Sequence, residues 1–210
     1  MIDAALLPLQ HRVLTPPGQW LAARGIHADH VTLAGFAIGA CAVPALAFGA
    51  YGLALVLLAF NRLADGLDGV VARQSAPTDR GAFLDIALDF VFYALFPLGF
   101  ALANPAANAL PAAVLMASFI GTGSSFLAFA TIAAKRGITA SAYPTKGIHY
   151  LGGLTEGFET IVVFVAMCLF PQWFAPLAYG YAAACALTTS LRWHQGWVAF
   201  APPKRPRNTD

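Results

Sequence analysis

Residues 61–89 set Asp65, Asp68, Asp85 and Asp89, four of the five aspartates in that stretch, between apolar stretches long enough to cross a bilayer. Asp65 and Asp68 are three residues apart and Asp85 and Asp89 four apart, so in helices each pair shares a face. Turn residues from Gln74 to Arg80 predict a loop that lets the two helix ends fold back on each other. The four carboxylates then point into one small volume. Repulsion and desolvation would make that arrangement prohibitive unless a cation sits among them. Hard oxygen donors suit Mg²⁺ or Mn²⁺, ions that usually also take oxygens from a substrate phosphate. The stretch predicts a metal–phosphate site at a membrane face.

Composition agrees with a membrane setting. Hydrophobic residues make up 59% of the 210 and charged residues 10%, against about 25% in soluble domains. Such a chain has too little charge to cover a water-facing surface. The expectation is an all-α polytopic membrane protein forming one domain over residues 1–210. It divides into an interfacial segment (1–28), a six-helix core (29–195) and a basic tail (196–210). The six spans are expected at about 31–50, 53–67, 81–103, 110–134, 147–170 and 173–191. Residues 1–24 lack a signal-peptide pattern and predict an amphipathic helix lying on the membrane, broken at Pro16-Pro17. Cys41, Cys168 and Cys185 show no ligand spacing and read as small buried hydrophobes.

Charge placement predicts the topology. With six spans, all 12 Lys and Arg residues fall on the face that carries both termini and the aspartates, and the opposite turns carry none. The positive-inside rule assigns that face to the cytoplasm. The one-sided basic charge favours anionic lipid headgroups, and nothing points to nucleic acid. Small-residue faces at Gly35/Gly39, Gly121/Ser125 and Gly153/Gly157 permit close helix packing within or between protomers.

The order Asp65-x2-Asp68-Gly69-x2-Ala72-Arg73, then Gly81-x3-Asp85-x3-Asp89, resembles the signature of the CDP-alcohol phosphatidyltransferases. All eight fixed positions are filled. One departure is that the seven residues between Arg73 and Gly81 are one fewer than the family's usual spacing. Length and helix plan resemble the small bacterial inner-membrane members. The resemblance implies transfer of a phosphatidyl (phospho-alcohol) group from a CDP-linked lipid, such as CDP-diacylglycerol, to an alcohol hydroxyl with release of CMP. It implies Asp65, Asp68, Asp85 and Asp89 as ligands of two Mg²⁺ or Mn²⁺ ions, with Asp89 as ligand or general base. It further implies Gly69, Ala72, Arg73 and Gly81 at the nucleotide, Thr32 as a candidate cytidine contact, and a homodimer. Thr32 and Asp29 read equally well as helix caps.

The acceptor side is less legible. Lys135, Arg136, Lys146 and Arg192 end or begin helices at the predicted cytoplasmic face and read either as phosphate ligands for a phospho-alcohol or as interfacial anchors. Glu156 and Glu159 share a face inside the fifth expected span. They read as ligands of a cationic or polyhydroxylated acceptor, or as partners of a basic residue. His149 and Tyr150 read as interfacial residues. Two alternatives use similar residues: an intramembrane prenyltransferase with an Asp-rich diphosphate site, and a non-enzymatic metal-ion carrier. The acceptor's identity does not follow from the residues.

Overall fold

The computed structural model describes residues 2–75, 77–138 and 154–201. Among them there is no strand. The elements are α1 (Ile2–Ala23), α2 (Ala28–Ala40), α3 (Ala42–Ala47), α4 (Tyr51–Ser75), α5 (Asp79–Ala103), α6 (Pro105–Lys135), α7 (Gly157–Leu169) and α8 (Phe174–Ala199), with a 3₁₀ turn at Pro171–Trp173.

Three helical stretches are long and apolar enough to cross a membrane: Ala28–Ala47, which joins α2 and α3, then α5 and α6. A fourth is formed if α7 and α8 count as one span bent by 117°. The chain is an integral membrane protein on this evidence. α4 follows a different pattern, with an apolar first half and a second half that carries Arg62, Asp65, Asp68 and Arg73.

Phenylalanine packing builds the core. Phe92, Phe96 and Phe100 recur at every fourth residue of α5 and are fully buried. Phe164 of α7 stacks on Phe96 at 4.3 Å between centroids, and Phe174 of α8 stacks on Phe100 at 4.5 Å. At the other side of α4, glycine lets backbones approach. A Cβ at Gly35 would come within 2.6 Å of Ala64 Cβ, and one at Gly39 within 2.8 Å of the Asn61 amide. Asn61 uses that proximity to donate to the Gly35 carbonyl at 2.9 Å. The α2–α4 contact is thereby fixed in register at the turn that precedes the aspartates.

Several boundaries differ from expectation. α1 continues through Pro16-Pro17, because Leu14 and Gly18 on either side of the prolines pack into α4 against Gly66 and Val70. α4 continues past the predicted membrane edge to Ser75, and α5 begins at Asp79 with Thr78 accepting the Gly81 N–H at 3.0 Å. The predicted 74–80 loop is therefore reduced to a short link, and Gly69 and Ala72 are helical. Asp29 does not cap α2; His27 occupies that position without a side-chain bond, and Asp29 pairs with Arg80 instead at 2.7 Å. Cys168 and Cys185 are buried as expected, but Cys41 is exposed at the α2–α3 break. The fifth expected span is represented among the described residues by α7, which begins at Gly157 after non-helical residues 154–156; its expected start at 147 lies outside them.

Candidate active site between α2, α4 and α5

Helix periodicity brings the aspartates together. Asp65 and Asp68 lie on α4, Asp85 and Asp89 on α5, and all four line one narrow cleft of about 20 Å³ with Thr32, Phe36, Asn61, Arg62, Leu88 and Phe92. Thr32 Oγ1 lies 2.6 Å from Asp68 Oδ2, to which it donates, and also 3.1 Å from the Ala28 carbonyl. Arg62 reaches from α4 into the same cleft. Its Nη2 lies 2.7 Å from Asp89 Oδ1, and its Nη1 lies 3.4 Å from Asp65 Oδ2. Tyr93 donates to the other Asp89 oxygen at 3.4 Å.

The donor chemistry fits a hard divalent cation, since every acidic group in the cleft offers only oxygen. The four carboxylates do not, however, converge as tightly as the sequence predicts. Among the described residues, no three acidic, histidine or cysteine side chains are close enough to hold an ion as placed. Arg62 contacts Asp89 and Asp65, and Thr32 donates to Asp68 from α2.

A second cavity of about 470 Å³ opens from the cleft and shares Thr32, Asp68 and Asp85 with it. Its walls include Gly69, Ala72, Arg73 and Gly81, so all five residues expected at the nucleotide face one space. Gly69 stands beside the Arg73 guanidinium, where a Cβ would make an ordinary contact of 3.5 Å with Nη1. Gly81, in the first turn of α5, is tighter: a Cβ there would come 3.2 Å from Asp29 Oδ1.

The residues expected on the acceptor side separate. Glu156 and Arg192 line a third cavity, about 160 Å³, with Tyr93, Thr122, Thr155, Thr160 and three phenylalanines. Arg192 Nη1 donates to the Thr122 carbonyl at 3.0 Å. Glu159 forms a capping box with Glu156, accepting the Glu156 N–H at 3.2 Å. Neither glutamate is deep within a helix: both stand at the start of α7, where the helix dipole favours an acid. Lys135 and Arg136 lie at the far end of α6, outside this cavity, with Arg136 donating to the Phe200 carbonyl at 2.9 Å. Lys146, His149, Tyr150 and Gly153 fall outside the described residues.

Sequence reasoning missed Arg62, Asn61 and Tyr93. Arg62 entered the topology argument as one more basic residue, although its place one turn before Asp65 marks a partner in an i,i+3 pair. Tyr93 stands one turn after Asp89, but its ring also suits a membrane helix core, so its spacing alone did not distinguish it. Asn61 gives no sequence signal for its bond to α2.

Fold and cleft together define a helical membrane enzyme that opposes two aspartate pairs. The CDP-alcohol phosphatidyltransferase family model matches residues 26–197, and the chain belongs to that family. It is thus an enzyme of the phosphatidyltransferase class, and the prenyltransferase and ion-carrier alternatives fall away. The chain is 53% identical over 201 residues to inner membrane protein YnjF of Escherichia coli, covering 94% of each. It is 27% identical over 190 residues to the archaetidylinositol phosphate synthase of Methanothermobacter thermautotrophicus, covering 88% of each. Its fold is similar to that of Mycobacterium tuberculosis phosphatidylinositol phosphate synthase PgsA1. A structure of that enzyme with CDP-DAG bound gives a TM-score of 0.68 at 22% identity, covering 92% of this chain and 100% of that one. A second, in complex with manganese and citrate, gives 0.67 at 22% identity, with 93% and 98% covered.

Proposed function

We propose that the chain transfers a phosphatidyl group from CDP-diacylglycerol, or a closely related CDP-linked lipid, to the hydroxyl of a small alcohol or phospho-alcohol. The acceptor oxygen forms a new bond to the lipid-bearing phosphorus. The bond from that phosphorus to the CMP oxygen breaks, CMP leaves with the electron pair, and the acceptor proton passes to Asp89. The observation that carries this reading is the junction of two cavities at Thr32, Asp68 and Asp85: a large one walled by Gly69, Ala72, Arg73 and Gly81, and a narrow acidic one.

Asp65, Asp68 and Asp85, with Asp89 beside them, would hold two Mg²⁺ or Mn²⁺ ions, which when bound supply positive charge to the diphosphate. Arg73 offers a planar fork suited to a phosphate at the wall of the larger cavity. Thr32 orients Asp68 and faces the nucleotide space. The cavity with Glu156 and Arg192 is the acceptor's place, and Tyr93 is shared between it and the Asp89 carboxylate. In the bilayer the chain adopts six spans, with α4 as the second, and α1 lies along the interface. Both termini and the site face the cytoplasm, where all of the Lys and Arg gather, and the protein works as a homodimer.

The test is CMP release by purified protein from CDP-diacylglycerol with Mg²⁺, across a panel of alcohols and phospho-alcohols. Release with one acceptor identifies the reaction and the missing substrate together. Silence with every acceptor, in protein that binds Mn²⁺, would remove CDP-diacylglycerol as donor.

A further inference from the structure

Two opposite charges face one small cavity. Glu156, at the start of α7, and Arg192 of α8 both line the space of about 160 Å³, smaller than the roughly 300–1,000 Å³ of pockets for drug-sized ligands. Both residues are held by the fold. Arg192 Nη1 donates to the Thr122 carbonyl at 3.0 Å, and its guanidinium lies 5.7 Å from the Phe126 ring centroid. Glu156 takes part in the capping box with Glu159. The threonine hydroxyls of the wall are committed to the protein. Thr122 donates to the Phe119 carbonyl at 3.0 Å, Thr155 to Thr188 at 2.9 Å and Thr160 to the Glu156 carbonyl at 2.8 Å. Recognition therefore falls to the two charges. Phe90, Tyr93 and Phe119 complete the wall, and the faces of such rings attract a cation and repel an anion.

We infer that this cavity takes a zwitterionic hydroxy amino acid, with Glu156 as the residue that selects its ammonium group. A phosphorylated alcohol would bring about −1.5 to −2 charges against the Glu156 carboxylate and the rings. An amino alcohol would set its cation beside Arg192, and a neutral polyol would leave both charges unmatched. A zwitterion answers both at once: its carboxylate meets the planar fork of Arg192, and its ammonium meets Glu156 and the aromatic wall. Tyr93 joins this cavity to the acidic cleft through its 3.4 Å bond to Asp89, so the hydroxyl end of the amino acid lies on that side. The acceptor role rests on the phosphatidyl-transfer reading above. In that step the amino acid's hydroxyl oxygen bonds to the lipid-bearing phosphorus. CMP departs with the electron pair of the broken bond, one proton is released, and the ammonium and carboxylate enter the product unchanged.

The test is CMP release from CDP-diacylglycerol by the purified full chain with four acceptors. These are L-serine, 3-hydroxypropionate (which lacks the ammonium), ethanolamine (which lacks the carboxylate) and glycerol 3-phosphate. L-serine should give the highest kcat/KM. Glu156→Gln keeps an oxygen for the cap and removes only the charge. It should raise the L-serine KM at least about tenfold, the scale of a lost charge-assisted hydrogen bond, and lower the preference for L-serine over 3-hydroxypropionate by a similar factor. Arg192→Gln should shift the preference toward ethanolamine. Equilibrium dialysis of labelled L-serine against the same chain, with Mn²⁺ and CMP present, gives a readout without turnover. Release with glycerol 3-phosphate but not with L-serine would overturn the zwitterion and leave the transfer reading standing. An unchanged L-serine preference in Glu156→Gln would overturn it as well. If no acceptor supports release yet L-serine binds and Glu156→Gln abolishes that binding, the zwitterion site stands and the transfer reading fails. Absence of both release and binding overturns the inference.

Discussion

Thr32 of α2 and Asp68 of α4, 36 residues apart in the chain, meet at 2.6 Å on the boundary between the acidic cleft and the larger cavity. The hydroxyl directs one carboxylate oxygen toward α2 and leaves the other to the cleft. Thr32→Val keeps the shape and removes the donor. A bond to a charged acceptor contributes about 1.5–3 kcal/mol, so kcat/KM for the CDP-linked donor should fall at least about tenfold. Donor titration at saturating acceptor measures it; an unchanged value would leave Thr32 as a helix residue only.

Asp85→Asn and Asp89→Asn should each abolish measurable CMP release while the protein retains its helix content and elution volume. Loss of a general base alone costs about 10²–10⁴ in rate. Full activity in both variants would dispose of the acidic cleft as the reaction centre.

Chelation provides an independent check. EDTA should stop turnover, and Mg²⁺ or Mn²⁺ should restore it, because carboxylates without an ion cannot neutralise a diphosphate. Ca²⁺, with longer bonds and looser geometry, should restore less. Turnover that continues in EDTA would leave the arginines of these two cavities, Arg62, Arg73 and Arg80, to meet the charge of the phosphates.

The two glutamates of α7 should behave differently. Glu156→Gln should raise the acceptor KM more than the donor KM, since Glu156 lines the cavity beside Tyr93. Glu159→Gln keeps an acceptor for the capping box and should leave both constants near native, while Glu159→Ala lowers stability by about 1 kcal/mol. Equal effects of the two on acceptor KM would make the pair a single structural unit.

The aspartate spacing was legible because helix periodicity alone places i and i+3 or i+4 on one face, and the two pairs flank a short link that lets their helices oppose each other. The residues expected at the nucleotide came from the resemblance to the family signature, and they line one cavity. The extension of α4 to Ser75 was not legible, since Gly69 and Gln74 look like turn residues until Leu14 and Gly18 of α1 cover the helix from behind. The split among Lys135, Arg136, Glu159 and Arg192 also lay beyond local pattern. Only the packing of α6 against α8 decides which basic residues reach a cavity and which cap a helix end. Arg62 was hidden for a different reason: its partner Asp89 is 27 residues away, and charge counting assigns an arginine at a helix end to the interface.

Leu14 fills the space that Gly66 leaves open, and Gly18 leaves open the space that Val70 fills. These interlocked positions lie on the turns of α4 that also carry Asp65, Asp68 and Gly69. The reactive helix therefore has protein, not lipid tails, along its back, and it cannot slide or rotate without carrying the N-terminal helix with it. The N-terminal helix and the acidic cleft form one mechanical part.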